Sequence, residues 1–591
     1  MIIPAAQIRW QGNQAEAIAY DDIYFRDDAL AESDKIFIKP GQIVSKAQAA
    51  ATICIGELGF GMGTNFIAAA AAVLQHSTAH LRYVAIEKHP LSPADWLQVN
   101  NRAQHHKALY QALTEPVLPL LAGWHERVFA AGRITLTVFY GDVSEGLEAL
   151  AQQQHNPVDA WFLDGFTPAK NPQMWTPQIY SALAGLSTHN TSIASFTAAG
   201  HVRRGLQAAG FAIERLDQSP HKHHSLAGYY TQDGRTRRLM PSQVTVHGKG
   251  IGGASVARRL AESGATVRVL DPANDAGASA RISAAVMHAR LLGDGSPSAV
   301  FRHASFHYAS AYLQAFRGFA RTGVLQLQGP NMNAKKLQRI SIAYGENHAH
   351  QQHWLQQLSA AQAAQISGAR IEADALFFPT AGVVDLPELC AALLDHPNIS
   401  QHRAQASAEP RSFDPENVNI LCSAGGTRGF PGCDHLEISE VHGQLDRFET
   451  ASRLSTLPIV GNGYLVPDDK GVVLGASYEY TAWSQDKARA HNLQANQHLI
   501  EDAQLRWQHS QRAARATSSD RMPVIGRLQG EAELWLATAF GSMGTTAAPL
   551  AAAMVSNQIL GWSSGVSSAV EILTDPNRFA QRQARRGVRH R

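Results

Sequence analysis

The chain has 591 residues, of which 45% are hydrophobic and 17% charged, with a net charge of +2. At about 100 to 200 residues per domain, this length excludes a single small domain and supplies enough apolar material for several cores. No apolar run reaches the roughly 18 residues that a membrane span needs, and the opening MIIPAAQIRW lacks the basic and then apolar regions of a secretion signal. A soluble cytoplasmic protein with no membrane partner is therefore expected. The four cysteines, Cys54, Cys390, Cys422 and Cys433, form no CxxC pair, and the 27 histidines show no HExxH spacing, so neither a disulfide framework nor a metal is expected.

From residue 51 the apolar run ATICI enters ELGFGMGTNF and then the alanine-rich IAAAAAVL, which reads as strand, glycine loop and helix. Gly59, Gly61 and Gly63 have GxGxG spacing, with Glu57 just before them, and missing Cβ atoms let a ligand approach the backbone closely. LRYVAIE then ends at Glu87, where an acid can accept hydrogen bonds from a ribose diol. ITLTVFYGD ends at Asp142 and VDAWFLD at Asp164. Strands ending in acids or glycine turns line the carboxyl edge of a doubly wound sheet, where such sheets bind ligands. The acids read alternatively as helix caps, and the loop as a site for NAD. With TSIASFTAAG, the helix HVRRGLQAAG, FAIERL and SLAGYYTQ, seven strands suit a class I, Rossmann-like methyltransferase fold.

A basic connector, TQDGRTRRLMPSQ, leads to VTVHGKGIGGASVARRLAESGATVRVLD, where Gly248, Gly250 and Gly253 have GxGxxG spacing and Asp271 ends the second strand. The loop would wrap a pyrophosphate at a helix N-terminus and the acid would hold the ribose. Near the C-terminus, ELWLATAFGSMGTTAAPLAAAM reads as strand, glycine turn at Gly541 and Gly544, and helix. This return to the cofactor makes the expected dinucleotide FAD. The α/β chain therefore divides into a methyltransferase domain over 1–235 and an FAD-dependent, amine-oxidase-like domain over 243–591. Segments 331–375 and 440–510 are expected to form an antiparallel substrate subdomain.

In that order, GFGMGTNF, DAWFLDGFTPAKNPQMW, TAAGHVRRGLQAAGF, GYLVP, GASYEY, SDRMPVIG and FGSMGTTAAPL make the chain resemble the family of bifunctional tRNA 5-methylaminomethyl-2-thiouridine biosynthesis proteins over nearly its full length. The resemblance implies two steps on a tRNA wobble uridine. The FAD domain removes the carboxymethyl group of 5-carboxymethylaminomethyluridine, and the N-terminal domain methylates the exposed amine with S-adenosylmethionine. Glu57, Gly59, Gly61, Gly63, Glu87 and Asp142 would hold the methyl donor. An alkylammonium of pKa about 10 has no lone pair at neutral pH, so a proton acceptor is required, and Asp164 fits that role. It reads otherwise as a turn-forming residue. Phe166 and Trp175 would stack on the flipped base, with Trp175 read equally as core. Lys170 would touch a phosphate or lie free on the surface.

By similarity to amino-acid oxidases, Arg515 would hold the substrate carboxylate, with Arg521 as runner-up and Tyr464 as a second contact. Either arginine also reads as a structural ion-pair partner. Three basic clusters read as solvated faces or phosphate contacts: Arg203 and Arg204; Arg235, Arg237 and Arg238; and Arg582, Arg585, Arg586, Arg589 and Arg591. The run HKHH at 221–224 departs from the family, which carries arginine and lysine there, so the connector and tail arginines are expected to take over RNA binding. A monomer is expected. Alternatives are a small-molecule oxidase fused to a small-molecule methyltransferase, and an RNA-binding scaffold with degenerate cofactor loops.

Overall fold

A computed structural model describes residues 2–12, 14–25, 29–218, 224–272, 279–344, 353–404, 417–530 and 533–587. Contacts divide the chain into two compact units, Met1–Met240 with Asn557–Ser567, and Pro241–Ser556 with Ser568–Arg591.

The first unit is built on parallel strands β1 (Thr52–Leu58), β2 (His80–Glu87), β3 (Ile134–Tyr140), β4 (Ala160–Leu163) and β5 (Ser192–Ser195). β6 (Phe211–Asp217) and β7 (His224–Tyr230) complete the set, with β7 antiparallel to both β5 and β6. The order is β6-β7-β5-β4-β1-β2-β3, the arrangement of a class I methyltransferase. β1 to β5 are apolar because helices cover both faces of a parallel sheet, and this is why they read as continuous hydrophobic runs. The helices that matter for the site are α1 (Thr64–His76), α2 (Val143–Gln153) and α3 (Gly200–Ala208).

Two features go beyond the expected seven strands. Gly123–Phe129 adds an eighth, antiparallel to β3, and Ile8–Gln11, Gln14–Ala17 and Asp22–Phe25 form a separate three-stranded sheet. These N-terminal strands have four residues each, too few for their alternation to stand out.

The second unit opens with β8 (Val244–His247), α4 (Ile251–Glu262) and β9 (Val267–Pro272). With β10 (Ile399–Ala404) and β11 (Val418–Leu421) these strands run parallel. Further along come β12 (Ile438–Glu449), β13 (Tyr464–Asp468), β14 (Gly471–Gly475), β15 (Arg506–Ser518), β16 (Val524–Arg527), β17 (Leu534–Thr538) and α5 (Gly544–Ile559). The cofactor sheet has the order β10-β9-β8-β11-β17-β16, with only β16 antiparallel to its neighbour.

A second, eight-stranded sheet carries the long antiparallel pair β12 and β15, flanked by β14 and β13. The expectation for 331–375 needs correction. Among its described residues that segment is helical at Ala334–Tyr344 and Ala360–Ser367, and it gives the sheet the short strand Gln356–Leu358 and the first residue of Ala375–Phe378.

All four cysteines are buried in these cores. Burial pushes the thiols of Cys54, Cys390 and Cys433 up to about 12 and raises that of Cys422 as well.

One buried ion cluster ties α4 to its surroundings. Glu262 Oε1 accepts from Arg258 Nε at 2.9 Å, and Oε2 accepts from Arg259 Nη1 at 3.0 Å and from the Tyr312 hydroxyl at 3.0 Å. Arg259 is fully buried. Removing the carboxylate would leave that charge in a low-dielectric interior, which costs far more than a surface pair would. Glu262→Ala is expected to destabilise this unit by about 3 kcal/mol. Calorimetry should show a lowered unfolding midpoint.

Candidate functional sites

At the carboxyl edge of the first sheet, β1 passes into Gly59, Gly61 and Gly63, whose φ angles are +91°, +51° and +69°. A Cβ on Gly59 would lie 2.5 Å from the Asp164 carbonyl oxygen, so only glycine lets this loop close against the end of β4. The Asp164 N–H donates to the Leu58 carbonyl at 3.0 Å, continuing the ladder to the catalytic edge.

The loop faces a cavity of ≈ 320 Å³, within the range of small-molecule sites. Gly59, Gly61, Glu87, Asp142, Asp164 and Phe166 all line it. Glu87 accepts from the Gly61 N–H at 2.8 Å and the His89 N–H at 2.7 Å, and burial raises its pKa. Each carboxylate oxygen retains acceptor capacity for a ribose diol. Asp142 also caps α2 by accepting from the Ser144 N–H at 3.0 Å, and it pairs with Lys88 at 3.1 Å. Burial works to raise its pKa, but the Ser144 hydroxyl and N–H and the Lys88 charge hold it below the ordinary value. The capping reading of this acid is realised, and the same side chain lines the cavity. The acids and glycines fit S-adenosylmethionine.

Four expected contacts lie elsewhere. Glu57 is 1% exposed and does not line the cavity, because strand alternation turns its side chain under the loop. There it accepts from Asn65 Nδ2 at 2.8 Å and the Tyr83 hydroxyl at 2.8 Å. Gly63 is absent from the lining and instead starts α1, packed so that a Cβ would meet Leu113 at 2.9 Å. Trp175 is buried, and its indole N–H donates to the Phe166 carbonyl at 3.1 Å. It supports the loop from below rather than offering a face to a base. Lys170 donates to the Asp21 carboxylate at 3.2 Å and also to its carbonyl oxygen, which ties it to the N-terminal sheet.

The aromatic partners of Phe166 come from that sheet and were not foreseen. Tyr20 stacks on Phe166 with centroids 4.2 Å apart, and Tyr24 meets it edge-on at 5.0 Å. The signal was YDDIYF, in which aromatic residues bracket two acids. The second acid, Asp22, is the latch: it accepts from the Thr167 N–H at 2.9 Å and the Thr167 hydroxyl at 2.7 Å.

Burial works to raise the Asp22 pKa, but the Thr167 bonds, the Ile23 N–H and the Lys170 charge leave it lowered. A lowered carboxylate contributes stability above its unfolded pKa of about 3.9 and loses it as pH falls through the folded value. The latch should therefore hold at neutral pH and weaken in acid below about pH 4. Asp22→Asn should speed hydrogen exchange at the Thr167 amide at pH 7, which mass spectrometry of the 164–175 peptide would detect.

In the second unit, Gly248 has φ +106°, and a Cβ on Gly253 would sit 1.8 Å from the Gly248 carbonyl oxygen. A Cβ on Gly250 would meet only Ala280 Cβ, at 3.9 Å, so it would project into open space beside the start of α4. Asp271 ends β9 and accepts from the Lys249 N–H at 3.1 Å, with Lys249 Nζ at 3.0 Å. Gly541 has φ +56° and approaches Thr517, whose hydroxyl is buried without a partner, while Gly544 opens α5. The open cradle and the orphaned hydroxyl fit FAD. Gly250→Val should fill the cradle and lose FAD with methyl transfer intact. Flavin absorbance per chain in the purified variant would check this.

Arg515 lies on β15 opposite Val441, and its Nη1 donates to the Ser477 carbonyl at 3.4 Å. A Cβ on Gly443 would stand 2.4 Å from that Nη1, so this glycine makes room for the guanidinium. Tyr464, whose hydroxyl donates to the Ala284 carbonyl at 3.4 Å, lies within the field of Arg515. Burial raises its pKa, and the Arg515 charge opposes that rise.

Arg290 belongs to this group and was missed. Burial, then the charges of Arg302 and Arg515, lower its pKa to about 10. Among the described residues neither Arg290 nor Arg515 is paired with a carboxylate, so the ion-pair reading of Arg515 does not hold. The signal for Arg290 was a lone cation in the apolar run AAVMHARLL. Arg521 is placed differently, exposed, with its Nη2 donating to the Tyr480 hydroxyl at 3.2 Å.

Of the basic clusters, Arg203 and Arg204 are exposed on α3. Two of the connector arginines are engaged within the fold, whereas Arg238 is exposed, with its Nη1 donating to the Gln558 carbonyl at 3.4 Å. Arg235 donates to the carbonyls of Gly185 and Ala151 at 2.8 and 3.1 Å, and Arg237 pairs with Asp159 at 2.6 Å. In the tail, Arg582 pairs with Glu437 at 2.6 Å, whereas Arg585 and Arg586 are exposed. Arg589, Arg591 and His221, Lys222 and His223 lie outside the described residues. Among those described, no group of three or more His, Cys, Asp or Glu side chains is arranged to hold a metal, and no helix is long and apolar enough to cross a membrane.

Comparison with known proteins adds the following. Residues 104–231 match a family described as S-adenosyl-L-methionine-dependent methyltransferase, and residues 243–558 one described as FAD dependent oxidoreductase. The tRNA 5-methylaminomethyl-2-thiouridine biosynthesis bifunctional protein MnmC of Pseudomonas putida (strain GB-1) is 31% identical, over 99% of each chain. The protein of that name from Methylobacillus flagellatus is 30% identical, over 98% of this chain and 96% of its own. Among solved structures, iminodiacetate oxidase from Chelativorans sp. BNC1 aligns with TM-score 0.48 and 20% identity, over 56% of this chain and 98% of its own.

Proposed function

The chain belongs to the family of tRNA 5-methylaminomethyl-2-thiouridine biosynthesis bifunctional proteins, and on that premise we propose how its two sites divide the work. It is a tRNA wobble-uridine modification enzyme with an S-adenosylmethionine-dependent methyltransferase domain and an FAD-dependent oxidoreductase domain. The FAD domain removes the carboxymethyl group of 5-carboxymethylaminomethyl(-2-thio)uridine. The N-terminal domain then methylates the bared amine.

One observation carries the assignment of residues. The site in the second unit holds Arg290 and Arg515 without a carboxylate partner, and the site in the first unit presents the carboxylate Asp164 to its cavity. The first substrate brings a carboxylate and its product does not; the product brings only an amine. Each site thus carries the charge that its own substrate lacks.

In the oxidoreductase site, Arg515 binds the substrate carboxylate through its planar guanidinium, Arg290 adds a second positive charge, and Tyr464 borders the same space. FAD would supply hydride acceptance at the carbon next to nitrogen, after which water would complete the loss of the carboxymethyl group. Gly248, Gly250, Gly253, Asp271, Gly541 and Gly544 hold the cofactor.

In the methyltransferase site, Gly59, Gly61, Glu87 and Asp142 hold S-adenosylmethionine, which supplies a methyl group from its sulfonium. Asp164 accepts the proton of the alkylammonium, freeing the lone pair that attacks. The exposed Arg203 and Arg204 and the tail Arg585 and Arg586 are cations available to RNA phosphates. Both cradles are formed within one chain, which supports a monomer, and a tRNA substrate places the work in the cytoplasm.

Arg515→Met or Arg290→Met should slow flavin reduction by carboxymethylaminomethyl-tRNA at least tenfold, at about 1.4 kcal/mol per decade and 1.5–3 kcal/mol for a hydrogen bond to a charged group. Stopped-flow absorbance would measure it. Asp164→Ala should abolish methyl transfer to pre-formed aminomethyl-tRNA and spare flavin reduction. Equal methylation of tRNA and of free small amines would refute the RNA reading.

A further inference from the structure

The role of Asp164 raises a further question, since a second carboxyl group lies close by. Glu57 and Asp164 belong to neighbouring parallel strands, with Leu58 in register with Leu163. Asn65, the second residue of α1, stands between them. Its Nδ2 donates one hydrogen to Glu57 Oε1 at 2.8 Å and the other to Asp164 Oδ2 at 2.6 Å. Its Oδ1 accepts from the Ser33 hydroxyl at 2.6 Å. All three polar functions of the amide are occupied, and the Ser33 bond fixes which end faces the acids. Asn65 is 5% exposed, and water does not substitute for it there.

We propose that Asn65 is the positioning residue of methyl transfer: its two amide hydrogens, anchored through Ser33, aim the Asp164 carboxylate and keep it ionised beside Glu57. The physical ground is that a hydrogen bond to the charged form of an acid favours that form, whereas a neighbouring carboxyl disfavours it.

Other titratable groups face the same pair of acids. Burial holds Tyr83 protonated, and its hydroxyl is spent on Glu57. Tyr24 is likewise held protonated by burial. Glu87 and Glu32 are acids themselves, and the Lys88 ammonium across the cavity is engaged by Asp142. Burial first, and then the Asp164 charge, raise the Glu57 pKa well above the ordinary carboxylate value, while its hydrogen bonds from Asn65 and Tyr83 oppose that rise.

The inference rests on the reading of Asp164 as the proton acceptor, and the test separates the two. The pH dependence of kcat for methylation of pre-formed aminomethyl-tRNA by the full chain is measured with saturating S-adenosylmethionine. In the wild type the acid limb reports Asp164. Asn65→Leu, which keeps the volume but lacks the donors, should move that limb up by about 1 pH unit, one unit being tenfold in the equilibrium. Activity should therefore fall about tenfold on the acid side of the limb and recover above it. Ser33→Ala, which leaves the amide in place without its anchor, should give a smaller shift in the same direction and serves as the deciding variant if Asn65→Leu does not fold. Flavin reduction should be unchanged in both.

A limb that stays in place, with kcat unchanged or lowered equally at every pH, overturns the inference. If Asp164→Ala retains residual activity with the acid limb intact, it is instead the reading of Asp164 that falls.

Discussion

Two neighbouring buried carboxyl groups disfavour each other's ionised form, and a donor standing between them restores the charged form of the one that needs it. The whole methyl-transfer site follows from how this chain meets that constraint. β1 and β4 bring Glu57 and Asp164 together because a parallel sheet aligns strand ends, and the glycine loop then starts α1 where Asn65 can face both. The loop closes only because Gly59 has no side chain to strike the Asp164 carbonyl. Cofactor loop, acid and helix start are one mechanical assembly rather than three motifs.

The second unit meets the opposite constraint, and its answer is to leave positive charge uncompensated. Burial, and then the charges of Arg302 and Arg515, lower the affinity of Arg290 for its proton, a cost that a bound anion would relieve. The two sites are complementary electrostatic moulds for successive states of one nitrogen substituent. A carboxylate is attracted to the first and, once removed, is no longer there to be repelled by the second.

Much of this was legible in the sequence, for physical reasons particular to each element. Strands buried on both faces read as apolar runs, and the glycine loops at Gly59 and Gly248 stand between strand and helix as their spacing indicated. What resisted was direction and distance. Glu57 precedes the glycine loop as a ligand would, yet the two-residue period of a strand turns it under the loop. Trp175 sits in a loop full of chemistry and serves as its floor. The Tyr20 pairing with Phe166 joins segments nearly 150 residues apart, and Arg290 gains meaning only beside Arg515, so no local pattern announced them. The two helices within 331–375 were not foreseen because their amphipathic periods are short and interrupted. The connector arginines looked like an RNA contact because charge was visible and the carbonyls they bind were not.

The sulfur chemistry of the chain has a bearing on how a redox enzyme survives its own turnover. Thiolates, not thiols, are what oxidants attack, and all four cysteines are enclosed and held in the protonated state. Peroxide formed near the protein would therefore meet cysteine sulfur only in enclosed positions, which leaves exposed methionine such as Met240 as the readier sulfur target.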